Sequence, residues 1–314
     1  MENQFNYFDN PIRLKVFQLA GVVIRLLGFV IVGTFLSQLL LSAFTGPNLI
    51  DSDKMIFEME DGTEARFLFL LMQALYAIFV FFVLPILYIF FLQKNLKQIF
   101  LIRKKRLGSF ILISLLIFIA ALPFISQLIE INQQFQLPER LSDLQEVLSK
   151  MEERAQKVTE LVVLYDYWYE IIPILFVVAV LAGIGEELLF RGVIQNEIHS
   201  ILKNPHVAIW IAAVLFSFIH FQFQGFLPRL FLGGLLGYLY YWSGSLLVPI
   251  FVHFVNNVLT FALINYSKRQ DEILLSTSDS LGITVLSTIV CIFLIIACYR
   301  LFLKVRKVSY KKIN

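Results

Sequence analysis

Seven residues could do chemistry together, and they come in three groups. Glu186, Glu187 and Arg191 stand in the stretch "GIGEELLFRG". Phe216 and His220 bracket "FSFIH", and His253 and Asn257 bracket the start of "HFVNNV". Each group sits in strongly apolar sequence, where a buried charge or an unsatisfied amide is costly unless it is paired. A carboxylate and an imidazole can together take a proton from water. A second imidazole and an amide can donate hydrogen bonds to an oxyanion. Hydrolysis of a peptide bond needs both functions. Glu186, His220 and His253 are also a donor set that could bind zinc or a similar divalent metal. No His-Glu-x-x-His signature is present, and metal-free and metal-assisted water activation both stay open.

The spacing within the groups is helical. Glu187 and Arg191 are four residues apart and share a helix face, where an internal ion pair lowers the cost of holding both. Glu186 points about 100° away from that pair. His253 and Asn257 repeat the interval and turn toward one side. His220 follows Phe216 by the same four residues. These positions permit one shared cavity reached from the cytoplasmic side.

The elements that must position them are membrane helices. The chain has 314 residues, of which 58% are hydrophobic and 16% charged, against roughly 25% charged in a soluble domain. Its mean hydropathy is +0.77. The expected fold is all-α, a polytopic transmembrane bundle of about eight spans with an extra amphipathic helix outside the membrane. The spans are expected near 16–45, 66–92, 109–131, 170–199, 206–222, 228–242, 247–264 and 281–303. Residues 1–136 then form N-terminal transmembrane helices, 137–165 an amphipathic connection, 166–265 the catalytic core, and 266–314 a last helix with a basic tail. In the connection Leu141, Leu144, Leu148, Met151, Ala155, Val158 and Val162 recur at three- and four-residue spacing. It either gates substrate entry or simply docks.

Charge sets orientation. Lys94, Lys97, Arg103, Lys104, Lys105 and Arg106 fall in one loop, and Lys304, Arg306, Lys307, Lys311 and Lys312 in the C-terminal tail. Both are expected on the cytoplasmic side, and the acidic loop from Asp51 to Asp61 outside, so both termini of this cell-membrane protein face the cytoplasm. No basic stripe suits nucleic acid. Cys291 and Cys298 lie about 10 Å apart along one helix and cannot bridge. His199 and His206 are expected at an interface, Gly233, Gly234 and Gly237 in helix packing, and Arg229 snorkelling to the membrane surface.

The three groups resemble the motifs of the CPBP, or Abi, family of intramembrane proteases, relatives of the type II CAAX prenyl endopeptidases. That pattern is Glu-Glu-x-x-x-Arg, Phe-x-x-x-His and His-x-x-x-Asn or -Asp, and order and intervals match over about 170–264. The resemblance implies an endopeptidase acting on membrane-embedded or lipid-anchored, CAAX-like protein substrates within the bilayer. Glu186 with His220 would activate water, and His253 with Asn257 would stabilise the oxyanion. Glu187, Arg191 and Phe216 would support them. Family members are often named metalloproteases, although a glutamate mechanism has also been argued. A non-catalytic scaffold or bacteriocin-immunity protein is the alternative reading. A transporter or proton relay is another, for which the broken-helix repeats are missing from the sequence.

Overall fold

A computed structural model describes residues 11–45, 62–91, 107–135, 137–270 and part of 286–304. The described residues are helical, with no strand among them. The chain is a multi-pass helical bundle. α1 runs Pro11–Thr45, α2 Gly62–Phe91 and α3 Leu107–Gln134. A short 3₁₀ turn leads into α4, Ser142–Val163. α5 spans Trp168–Leu202, α6 Pro205–Phe218, α7 Phe226–Ser243 and α8 Leu247–Gln270. Helical residues between 286 and 304 form α9. The basic loop at 92–106, the acidic loop at 46–61, most of the basic tail and both cysteines lie outside the described residues.

Five helices are long and apolar enough to cross a membrane among the described residues: α1, α2, α3, α5 and α8. α6, expected to reach residue 222, stops at Phe218. Its 14 residues rise about 21 Å, short of the roughly 30 Å hydrocarbon thickness. Its start is sharply defined. α5 ends at Lys203 in the left-handed region (φ 57°). Asn204 then caps α6, its Oδ1 accepting from the amides of His206 and Val207 at 3.0 and 3.2 Å. Pro205 occupies the first helical turn, where its missing N–H costs nothing. α7 ends at Gly244, whose φ of 64° favours glycine.

The core has three parts. Leu26, Val80, Leu189, Phe190 and Ala212 knit α1, α2, α5 and α6. Phe110, Ile117, Leu236, Val252 and Phe302 join α3, α7, α8 and α9. Phe69, Leu70, Val162, Ile174 and Val177 fasten α4 to α2 and α5. Phe17, Ile24, Ile31 and Phe35 of α1 stay exposed, as a lipid-facing flank must.

α4 is amphipathic as expected, but its two halves differ. Leu144 and Val147 are exposed, whereas Val162 and Val163 are buried. The buried end is clamped. Arg66 of α2 donates to Leu161 O at 2.7 Å, to Leu164 O and to the Glu170 carboxylate. Asn265 of α8 donates to Val163 O at 2.7 Å.

Candidate active site

α5 carries both glutamates, and it is not a plain α-helix. π-helical stretches at Phe176–Leu181 and Leu188–Gln195 flank the short α segment Ala182–Glu187. A π stretch widens the turn and re-aims the side chains beyond it, and such stretches concentrate at functional sites. The α segment between them is thin-sided. A Cβ at Gly185 would lie 2.6 Å from the Phe82 ring and 2.7 Å from Phe81 Cβ, so only glycine lets α2 approach so closely.

Glu187 and Arg191 form the expected ion pair, Arg191 Nη1 donating to Glu187 Oε1 at 2.6 Å, with exposures of 0% and 1%. Arg191 also donates to Gly233 O at 2.8 Å and lies 5.1 Å from the centroid of the Phe216 ring. A third partner completes the group: His253 Nδ1 lies 2.8 Å from the same Glu187 oxygen. An ionised carboxylate only accepts, so Nδ1 carries the proton, and in the neutral ring Nε2 holds a bare lone pair. His220 is set the same way, its Nδ1 donating to Phe216 O at 2.7 Å. Both Nε2 atoms then face Glu186 Oε2, His253 at 3.8 Å and His220 at 4.0 Å. These gaps are too long for direct hydrogen bonds and are of the size a bridging water fills.

Asn257 also lines the site. Its Nδ2 donates to Val178 O at 3.0 Å, within the first π stretch, and its Oδ1 accepts from Asn256 Nδ2 at 3.1 Å. One N–H of Asn257 is left for another acceptor. Asn256, secondary by spacing, orients its neighbour. Phe216 is the common wall: its ring meets His220 edge-on at 5.0 Å and His253 at 5.9 Å. His220 itself lies in the turn after α6, not within a helix as expected. Arg229 folds back on that turn, donating to Gln222 O at 2.7 Å and to the Gln222 side chain. His206 stands apart at α6's start, 3.0 Å from the Tyr238 hydroxyl.

Glu186, His220, His253 and Asn257 line one cavity of about 460 Å³. Its other walls include Gln73 and Tyr76 of α2, Phe261 of α8 and Val158, Thr159 and Val162 of α4. α4 is therefore a wall of the same cavity. Gln73 and Tyr76 carry no sequence signal, since a lone polar residue on an apolar helix has no motif. Among the described residues no group of three His, Cys, Asp or Glu side chains meets metal-holding geometry. Donors closed on tetrahedral zinc lie about 3.4 Å apart, given bonds of about 2.0–2.1 Å. The Glu186–histidine separations are wider.

Residues 168–259 match the family described as Type II CAAX prenyl endopeptidase Rce1-like, and they contain all seven residues of the three motifs. This segment is similar to the Rce1-like family. Over 106 residues the chain is 33% identical to the uncharacterized protein YpbD of Bacillus subtilis (strain 168), covering 32% of this chain and 51% of that protein. Over 103 residues it is 33% identical to the membrane-embedded CAAX protease MroQ of Staphylococcus aureus (strain USA300), covering 30% and 41%. The chain thus spans about half or less of the curated relatives it matches. No solved structure matches it. α1 to α4 lie outside the Rce1-like segment, yet α2 and α4 wall its cavity.

Proposed function

We propose that this membrane protein is an intramembrane endopeptidase that cleaves membrane-embedded or lipid-anchored, CAAX-like protein substrates. One observation carries the reading. His220 Nε2 and His253 Nε2 converge on Glu186 Oε2, at 4.0 and 3.8 Å, in a cavity with mostly apolar walls. A water placed among them gives one proton to Glu186 while His220 accepts its other hydrogen. The water oxygen then attacks the scissile carbonyl carbon, and the carbonyl π electrons move onto oxygen. The free N–H of Asn257 stabilises that oxyanion, joined by His253 Nε2–H when the ring carries both protons. Glu187 accepts from Nδ1 in either state and holds the ring in place. As the tetrahedral intermediate collapses, the C–N bond breaks and Glu186 returns its proton to the leaving amine. We propose that side chains alone activate the water, because the donors stand wider than a closed tetrahedral set. The basic loop and tail support a cytoplasmic position for both termini.

The test uses the purified full chain in detergent, with membrane-anchored peptides read by mass spectrometry. Glu186→Gln keeps shape and removes the base. Wild type is expected to cleave, and the equally folded variant to lose about 10²- to 10⁴-fold in kcat. Equal cleavage by both would overturn the assignment of Glu186. Cleavage by neither would favour the non-catalytic scaffold.

A further inference from the structure

α6 holds the second histidine of the site through the Phe216 carbonyl and ring and through a long bond from its amide to Ser217 O. α6 ends at Phe218, and His220 lies two residues further on, in a turn that runs to the start of α7 at Phe226. That turn is not one the chain adopts cheaply. Phe221, directly after His220, has φ 50°, a left-handed conformation that a bulky residue avoids. Its local backbone hydrogen bonds run from His220 N to Ser217 O at 3.4 Å, Phe221 N to Phe218 O at 3.1 Å and Phe226 N to Phe223 O at 3.0 Å. Such a conformation persists only where the surroundings over-determine it.

The surroundings are side chains from other helices. Asn132 of α3, only 3% exposed, spends both ends of its amide here. Its Nδ2 donates to Phe223 O at 2.8 Å, and its Oδ1 accepts from Leu227 N at 2.7 Å. It thereby ties the turn to the first residues of α7. Phe135, three residues on, lays its ring against Phe223 at 5.7 Å. Arg229 closes the near side through Gln222, Ser217 Oγ donates to Phe226 O at 2.7 Å, and Glu152 of α4 accepts from Gln224 N at 3.3 Å. Among the described residues Asn132 is the one buried group that grips the turn from both directions, and it belongs to α3, outside the Rce1-like segment.

We propose that Asn132 is the positioning residue for His220: its bidentate bond to the 219–227 turn holds the imidazole over Glu186. An apolar residue there would leave Leu227 N without its side-chain acceptor and Phe223 O with the Phe226 amide alone, and would release the strained turn, so His220 would leave its place while Glu187, Arg191 and His253 kept theirs. The inference rests on the protease reading only for its kinetic consequence.

The experiment therefore reads His220 directly. The full chain in detergent is treated with diethylpyrocarbonate, and the rate of modification of each of its four histidines is followed by peptide mass spectrometry. Asn132→Leu is compared with wild type and with Ser114→Ala, a buried change on the same helix away from the turn. The expected result is a rise of about tenfold in the His220 rate relative to His206, the effect of about two neutral hydrogen bonds lost, with His253 and the Ser114→Ala control unchanged. If Asn132→Leu does not fold, Asn132→Asp decides. It keeps an acceptor for Leu227 N, loses the donor to Phe223 O, and is expected to shift the same ratio by a smaller factor. An unchanged His220 ratio in a folded variant would overturn the proposal, whatever the fate of the protease reading. Where cleavage is measurable, kcat falls and KM holds.

Discussion

Arg191→Met is the substitution whose outcome the packing constrains most tightly. Methionine keeps an unbranched stem and removes the charge and its donors. Arg191 and Glu187 are 1% and 0% exposed, so Glu187 would be left as a buried carboxylate with His253 as its remaining partner at 2.8 Å. Gly233 O would lose its donor as well. Breaking a buried pair from one side costs about 3–5 kcal/mol, a large share of the about 5–15 kcal/mol that holds a typical protein folded. The double substitution Arg191→Met/Glu187→Gln removes the orphaned charge while leaving an oxygen for His253 to donate to. It is expected to recover at least about 2 kcal/mol of that loss, since neutral replacement of a buried pair is often close to neutral. The assay is reversible denaturation of the purified chain in mixed micelles, run as a double-mutant cycle. Cleavage of a membrane-anchored peptide is followed in parallel. If Arg191→Met costs less than about 1 kcal/mol, the size of an exposed pair, the burial argument fails. If the double variant is no more stable than the single one, the orphaned carboxylate is not the cause.

Other parts of the molecule give three further expected outcomes. Gly185→Ala gains about 1 kcal/mol of helix propensity, but the new methyl meets Phe81 Cβ, which cannot swing aside. Overpacking of about 1–3 kcal/mol wins, and the melting temperature falls. Val158→Trp narrows the cavity from the α4 side, so kcat/KM is expected to fall at least about tenfold for peptides with bulky apolar residues beside the scissile bond and less for small ones. Equal losses for both would mean α4 does not select. Prolonged treatment with a strong chelator, with bound metal followed by elemental analysis, is expected to leave cleavage unchanged. Loss of activity restored by zinc alone would overturn the metal-free mechanism.

The parts legible in the sequence are those written into short intervals. Glu187 with Arg191 and His253 with Asn257 are each four residues apart within one helix, an interval that a helix puts on one face wherever it lies, and Phe216 with His220 keeps the interval although α6 stops between them. Apolar length likewise announces α1, α2, α3, α5 and α8. The hidden parts depend on which helices touch. His253 pairs with Glu187 across 66 residues, and no interval encodes that. Arg229 finds its partner, the Gln222 carbonyl, only because α6 stops at Phe218. That stop is hidden because nothing in "FSFIHFQFQG" breaks a helix before Gly225. The turn is bonded instead by Asn132 from another helix, a tertiary contact of the kind that overrides local propensity. The π stretches of α5 are equally invisible, since their apolar residues suit an ordinary helix.

Two ion pairs tie the N-terminal helices to the Rce1-like segment: Arg25 to Glu197 at 2.8 Å, and Arg66 to Glu170. In each the cation comes first in the chain, and its acid comes 172 or 104 residues later. A ribosome adding about 5–20 residues per second would need roughly 10–30 s to deliver Glu197 after Arg25. For that interval α1 enters the bilayer with Arg25 unneutralised, well inside its apolar span, opposed by about 2.5–3.5 kcal/mol at mid-membrane. Birth order thus makes α1 a reluctant guest of the lipid. Its charge meets its partner only when the Rce1-like segment arrives.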